Sequence, residues 1–82
     1  MESVEHGVIS AFALITEYGY DYLRSNLDKN FEELDIDSLD ITEICMEIEE
    51  KFDLEEIKDN DIENFKTIKD VIDFVETQRN RD

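Results

Sequence analysis

Between Ser38 and Phe52 the apolar residues Ile41, Ile44, Cys45, Ile48 and Phe52 fall on one side of a 3.6-residue repeat, and Asp40, Glu43, Glu47 and Glu50 fall on the other. Alternation every two residues, the mark of a strand, is absent, so the segment predicts a helix with one buried stripe and one charged face. Asp37 stands before it as a cap whose carboxylate can accept from a first-turn amide. Asp40 sets a further negative charge at the positive end of the helix dipole. Ser38 therefore lies at the entrance of a helix.

The same period recurs more weakly on either side. Val4, Val8, Phe12 and Ile15, with Ile9 beside them, predict a first helix over residues 3–17, with Gly7 a poor helix former inside it and Gly19 suited to a left-handed stop. Residues 20–37 have no sustained period and read as a long loop. A loop of that length needs anchoring, here by Leu23, Leu27, Phe31, Leu34 and Ile36 and by one short helical turn near Leu23. After Phe52 come a short helix over residues 59–64 and a last one capped by Thr67, with Asp70 completing a capping box and Ile68, Val71, Ile72 and Val75 buried. The last helix should fray near Gln78 and leave 79–82 as a mobile tail. With no Pro, repeat or strand pattern, the expectation is an all-α fold of four helices and one domain over residues 1–82.

Charge excludes several functions. The chain carries 24 acidic residues against eight basic ones, and residues 32–63 hold fifteen of the acids with only Lys51 and Lys58 among them. Nucleic-acid phosphates and anionic membrane surfaces would be repelled, so the expected partners present basic surfaces. High charge alone would suit a disordered chain, but 40% apolar residues, eight of them Phe or Tyr, can build a core when spaced as above. A single cysteine, no basic-apolar export segment and no apolar run of spanning length lead to the expectation of a soluble cytoplasmic protein.

The acids suggest no metal site. An EF-hand loop starting at Asp35 would need an oxygen donor at Leu39, Gly at Asp40 and Glu at Met46. Cys45 falls on the buried stripe, where a packed thiol is expected, and His6 has no nucleophile partner in view and reads as a surface residue. No constellation of base and nucleophile suggests an enzyme.

The tetrapeptide Asp37-Ser38-Leu39-Asp40 opening an acidic amphipathic helix resembles the modification site of acyl carrier proteins. The likeness extends from Phe31-Glu32-Glu33-Leu34, through a helix ending Glu49-Glu50-Lys51-Phe52-Asp53, to the Thr-capped last helix with its Ile72-Asp73-Phe74. It implies a four-helix bundle with a long first loop and a short third helix. It further implies that a phosphopantetheinyl transferase attaches 4'-phosphopantetheine to the Ser38 hydroxyl, leaving a thiol that carries acyl groups as thioesters for fatty-acid, polyketide or specialised lipid synthesis. By position, Asp37, Asp40, Glu43, Glu49 and Glu50 would supply charge, and Leu39 and Met46 apolar contact, to enzymes that bear basic docking patches on a monomeric carrier. Ile44, Cys45, Ile48, Ile62, Ile68 and Ile72 would line an acyl-chain cavity.

One position departs from the family. A Leu-Gly-x-Asp-Ser-Leu pattern is usual there, whereas this chain reads Leu34-Asp35-Ile36-Asp37-Ser38-Leu39, so Asp35 stands where Gly is expected. If the backbone there has positive φ, Asp bears a cost that Gly does not. Two other readings stay open at this point: a peptidyl or D-alanyl carrier using the same arm, and an acidic interaction protein that mimics nucleic acid.

Overall fold

The computed structural model describes residues 3–80, which form α1 (Val4–Ile15), α2 (Tyr20–Arg24), α3 (Ser38–Phe52), α4 (Asp59–Asn64) and α5 (Ile68–Arg79). Among the described residues there is no strand, only an antiparallel bridge between Asn30 and Thr67, so the fold is all-α. The four helices read from the sequence are present. The short turn expected near Leu23 is α2, with Leu23 its one buried residue.

α1 packs against α2, α3 and α5, which explains a burial wider than the stripe read from its sequence. Gly7, Val8, Ile9, Ala11 and Phe12 are all buried, and they close the core with Leu23, Leu34, Ile44, Ile48, Ile68, Val71 and Val75. Gly7 lies under the Phe52 ring at the far end of α3, where an added methyl would land on the ring itself. Its helix cost, about 1 kcal/mol relative to Ala, is thus offset by a close approach of α1 to α3.

Three expectations are corrected. α1 stops at Ile15 rather than continuing to Glu17, because Thr16 turns extended (ψ 177°) and its N–H and Oγ1–H both go to the Phe12 carbonyl. Gly19 is not a left-handed stop. It has φ −79° and ψ 162° and serves as the N-cap of α2, so its backbone is one that any residue adopts. Arg79 belongs to α5 and sits over the Phe52 ring at 5.4 Å, in place of starting a mobile tail. Arg81 and Asp82, the end of that expected tail, lie outside the described residues.

The long connection from α2 to α3 is anchored as a loop of its length requires. Phe31, Leu34 and Ile36 are buried, the Phe31 N–H donates to the Lys66 carbonyl at 2.9 Å, and the Lys69 N–H donates to the Leu27 carbonyl at 3.1 Å. Phe31 also stacks on Phe12, with ring centroids 5.7 Å apart. At the other end, α5 starts with the expected reciprocal cap: Asp70 N–H to Thr67 Oγ1 and Thr67 N–H to Asp70 Oδ2, both 3.1 Å. Among the described residues no helix is long and apolar enough to cross a membrane, and no group of three His, Cys, Asp or Glu is placed to hold a metal ion.

Candidate functional site

The approach to α3 is a tight stop followed by a helix start. The Ile36 N–H donates to the Phe31 carbonyl (2.9 Å) and the Asp35 N–H to the Glu32 carbonyl (3.2 Å), the pair of bonds that ends a helical turn through a left-handed residue. That residue is Asp35, with φ 57°. Buried Phe31 and Ile36 make the apolar contact that accompanies this kind of stop. The position where the family pattern has Gly is therefore one that needs positive φ, and here Asp occupies it. Tyr18 braces the turn from outside: its phenol donates to the Leu34 carbonyl at 2.6 Å and its ring stacks on Tyr22 at 4.8 Å.

After this stop the chain enters α3 with Asp37 as its cap, Oδ1 accepting from the Asp40 N–H at 2.9 Å. The Ile41 N–H reaches the Asp37 carbonyl at 3.1 Å. The N–H groups of Ser38 and Leu39, the first two of the helix, have no carbonyl to reach and stay free for an anion. Ser38 is exposed and its hydroxyl makes no hydrogen bond among the described residues. A serine at a helix start ordinarily spends its oxygen on capping; Asp37 has taken that task, so the Ser38 Oγ is available.

The outward face of α3 repeats apolar and acidic side chains at steps of four, three and four: Leu39, Glu43, Met46, Glu50, all exposed, with Leu39 and Met46 at 66% and 61%. Exposed apolar side chains of that size ringed by carboxylates suit a partner surface that is basic at its edge and apolar at its centre. Asp37 is exposed and Asp40 half-buried beside them. Glu49 is placed differently. It is half-buried, and its Oε2 accepts from the Ile57 N–H at 2.7 Å, holding the segment between α3 and α4.

Beside Ser38 opens a pocket of about 470 Å³, lined with apolar Phe31, Ile36, Ile41, Ile62 and Phe65 and rimmed by polar groups that include Glu32, Asp37, Glu63 and Lys66. Of the six residues expected to line a cavity, Ile62 is in this wall. Ile44, Cys45, Ile48, Ile68 and Ile72 are instead packed together in the core. The apolar wall missed by sequence reasoning comes from the turn before α3, its first buried position and the end of α4. The one available signal was the pairing of Phe31 with Ile36 across the left-handed residue. Burial pushes the Cys45 thiol up to about 12, with the Glu49 carboxylate adding to the effect, so it is a packed neutral thiol and no nucleophile.

The chemistry this arrangement fits is attachment of a phosphate-linked group. It offers an exposed hydroxyl with nothing bonded to it, two unused amides and a dipole to receive a phosphodiester oxygen, and an adjoining pocket with an apolar floor. The family model described as a phosphopantetheine attachment site matches residues 8–75. Among curated relatives the chain is similar to the acyl carrier protein of Chlamydia felis (strain Fe/C-56), 40% identical over 67 residues that cover 80% of this chain and 85% of the relative. It is also similar to those of Exiguobacterium sibiricum, 39% identical over 67 residues (80% and 84% covered), and Streptococcus pneumoniae serotype 4, 37% identical over 65 residues (79% and 84% covered). No solved structure matches the chain.

Proposed function

This chain belongs to the acyl carrier protein family, whose prosthetic group is covalently attached phosphopantetheine, and we propose that Ser38 is its attachment point and residues 1–82 one carrier domain. The observation that carries the reading is the division of labour at the start of α3: Asp37 caps, and Ser38, one residue on, keeps an exposed and unbonded hydroxyl. When bound, the group supplies a flexible arm ending in a thiol that forms thioesters; the protein supplies attachment, presentation and recognition. The Ser38 and Leu39 amides would take a phosphodiester oxygen, offsetting part of the repulsion from Asp37 and Glu32.

The carrier is not itself a catalyst in this reading. It works in the cytoplasm as a monomer and meets a phosphopantetheinyl transferase, then acyl-transferring enzymes of fatty-acid, polyketide or specialised lipid synthesis. Those enzymes bind the Leu39, Glu43, Met46, Glu50 face together with Asp37 and Asp40 through basic patches. Exposed charge of this kind favours fast encounter and fast release over tight affinity, as a shuttle requires. An acyl chain enters past Ile62 into the pocket beside Ser38. The packed residues Ile44, Cys45, Ile48, Ile68 and Ile72 accept more of it only by moving apart, which the close packing of a core resists.

The test of the acyl reading is made on the modified protein. Acyl donors with an acyl carrier synthetase should load its thiol to a hydroxylamine-labile adduct, and D-alanine with its activating ligase should not. Loading by the amino acid and refusal of acyl groups would overturn the acyl assignment while leaving the carrier role in place.

A further inference from the structure

The rim of the pocket beside Ser38 is acidic except at one place. Glu32, Asp37 and Glu63 are among its lining residues, and Lys66 is the one cationic residue in that lining. The backbone of Lys66 is held from both sides: its N–H donates to Asp70 Oδ2 at 2.9 Å and its carbonyl accepts from the Phe31 N–H at 2.9 Å, next to the Asn30 to Thr67 bridge. The root of the side chain is thus fixed relative to the turn that leads into Ser38. The side chain itself is exposed, and its ammonium forms no ion pair among the described residues.

We propose that Lys66 is the counter-charge for the phosphodiester on Ser38, a positioning residue that holds the phosphate end of the arm at the mouth of the pocket. The proposal rests on the reading of Ser38 as the attachment point. Modification places a permanent negative charge next to Asp37 and Glu32, where the helix N-terminus offsets only part of the repulsion. An ammonium is a compact point charge on a flexible stem and can meet a phosphate oxygen without the fixed geometry a guanidinium demands. Lys66 takes no part in bond making. Its effect is confined to the modified state, since the unmodified protein leaves its ammonium unpaired.

The test compares melting temperatures of unmodified and phosphopantetheinylated wild type, Lys66→Met and Lys66→Arg at low salt, with the phosphorus NMR resonance of each modified form. Lys66→Met should lower the modified protein by roughly 1–5 °C more than the unmodified one, Lys66→Arg should restore the difference, and about 1 M salt should erase it. The phosphorus resonance should move in Lys66→Met and not in the unfolded protein. Equal effects on both states with an unmoved resonance would overturn the proposal. So would a Lys66→Met protein that alone resists modification, because Lys66 would then serve the transferase reaction. A wild-type protein that takes up no phosphopantetheine would refute the Ser38 reading, and the proposal with it.

Discussion

The phenol of Tyr18 donates a 2.6 Å hydrogen bond to the carbonyl of Leu34, joining the segment after α1 to the residue that precedes the left-handed Asp35. Leu34 is almost fully buried, so its carbonyl has little water to turn to if the phenol is removed. Tyr18→Phe keeps the ring and its stack on Tyr22 and deletes only this bond. It should cost about 0.5–1.5 kcal/mol in denaturant unfolding and speed amide exchange at Asp35 and Ile36 ahead of the helices. Unchanged stability and exchange would show that the turn stands without the brace.

Asp35 carries strain that glycine would not. An L-residue in the left-handed region costs roughly 1–2 kcal/mol, and glycine returns about 0.5–1 of that through the freedom of the unfolded chain. Asp35→Gly should therefore stabilise by about 0.5–1 kcal/mol, seen as a rise of roughly 2–8 °C in melting temperature, with helical content unchanged. A loss of stability would mean that the Asp35 carboxylate contributes an interaction worth more than the strain.

Cys45 should be silent to thiol reagents in the native state and reactive once unfolded, because burial holds its thiol neutral. The folded value of about 12 lies above the ordinary 9.0, so the unfolded chain loses this proton first. The contribution to stability is full below pH 9.0 and is lost as pH rises from there towards 12. Comparing unfolding of wild type and Cys45→Ala across that window isolates the contribution from the other titrating groups. Rapid native labelling, or a difference between the two proteins that does not vary with pH, would contradict it.

Glu43→Lys with Glu50→Lys reverses two exposed charges on the proposed docking face, and should slow acyl transfer from partner enzymes by about tenfold or more at low salt while circular dichroism is preserved. Glu49→Ala should act differently, removing the acceptor for the Ile57 N–H and costing about 1–2 kcal/mol of stability. If Glu43 and Glu50 left the rate untouched, the face from Leu39 to Glu50 would not be where partners dock.

Much of this architecture is legible because periodicity is a local signal. Ile41, Ile44, Cys45 and Ile48 repeat within one helix, and Asp37 and Thr67 act on amides three residues away, so α3 and the start of α5 are read with the bounds they have. Gly19 misleads because a glycine after an apolar stripe looks the same whether it ends one helix or begins the next. α2, five residues long, is too short to show a period. The pocket is illegible for a different reason. Its wall joins Phe31, Ile36, Ile41, Ile62 and Phe65 from three separate stretches, and the bond that fixes Glu49 spans eight residues. Position within a stripe says that Ile44 and Ile48 are buried, but not that Ile41, nearest Ser38, is the one that faces an opening.

In the proposed function the exposed Ser38 hydroxyl, released from capping duty by Asp37, takes the prosthetic group. The most direct measurement is the intact mass after incubation with coenzyme A and a broad-specificity phosphopantetheinyl transferase, followed by peptide mapping. Wild type should gain one phosphopantetheinyl mass, mapped to the peptide that contains Ser38, and Ser38→Ala should gain none. An unchanged wild-type mass with a competent transferase, or a gain that persists in Ser38→Ala, would contradict the account.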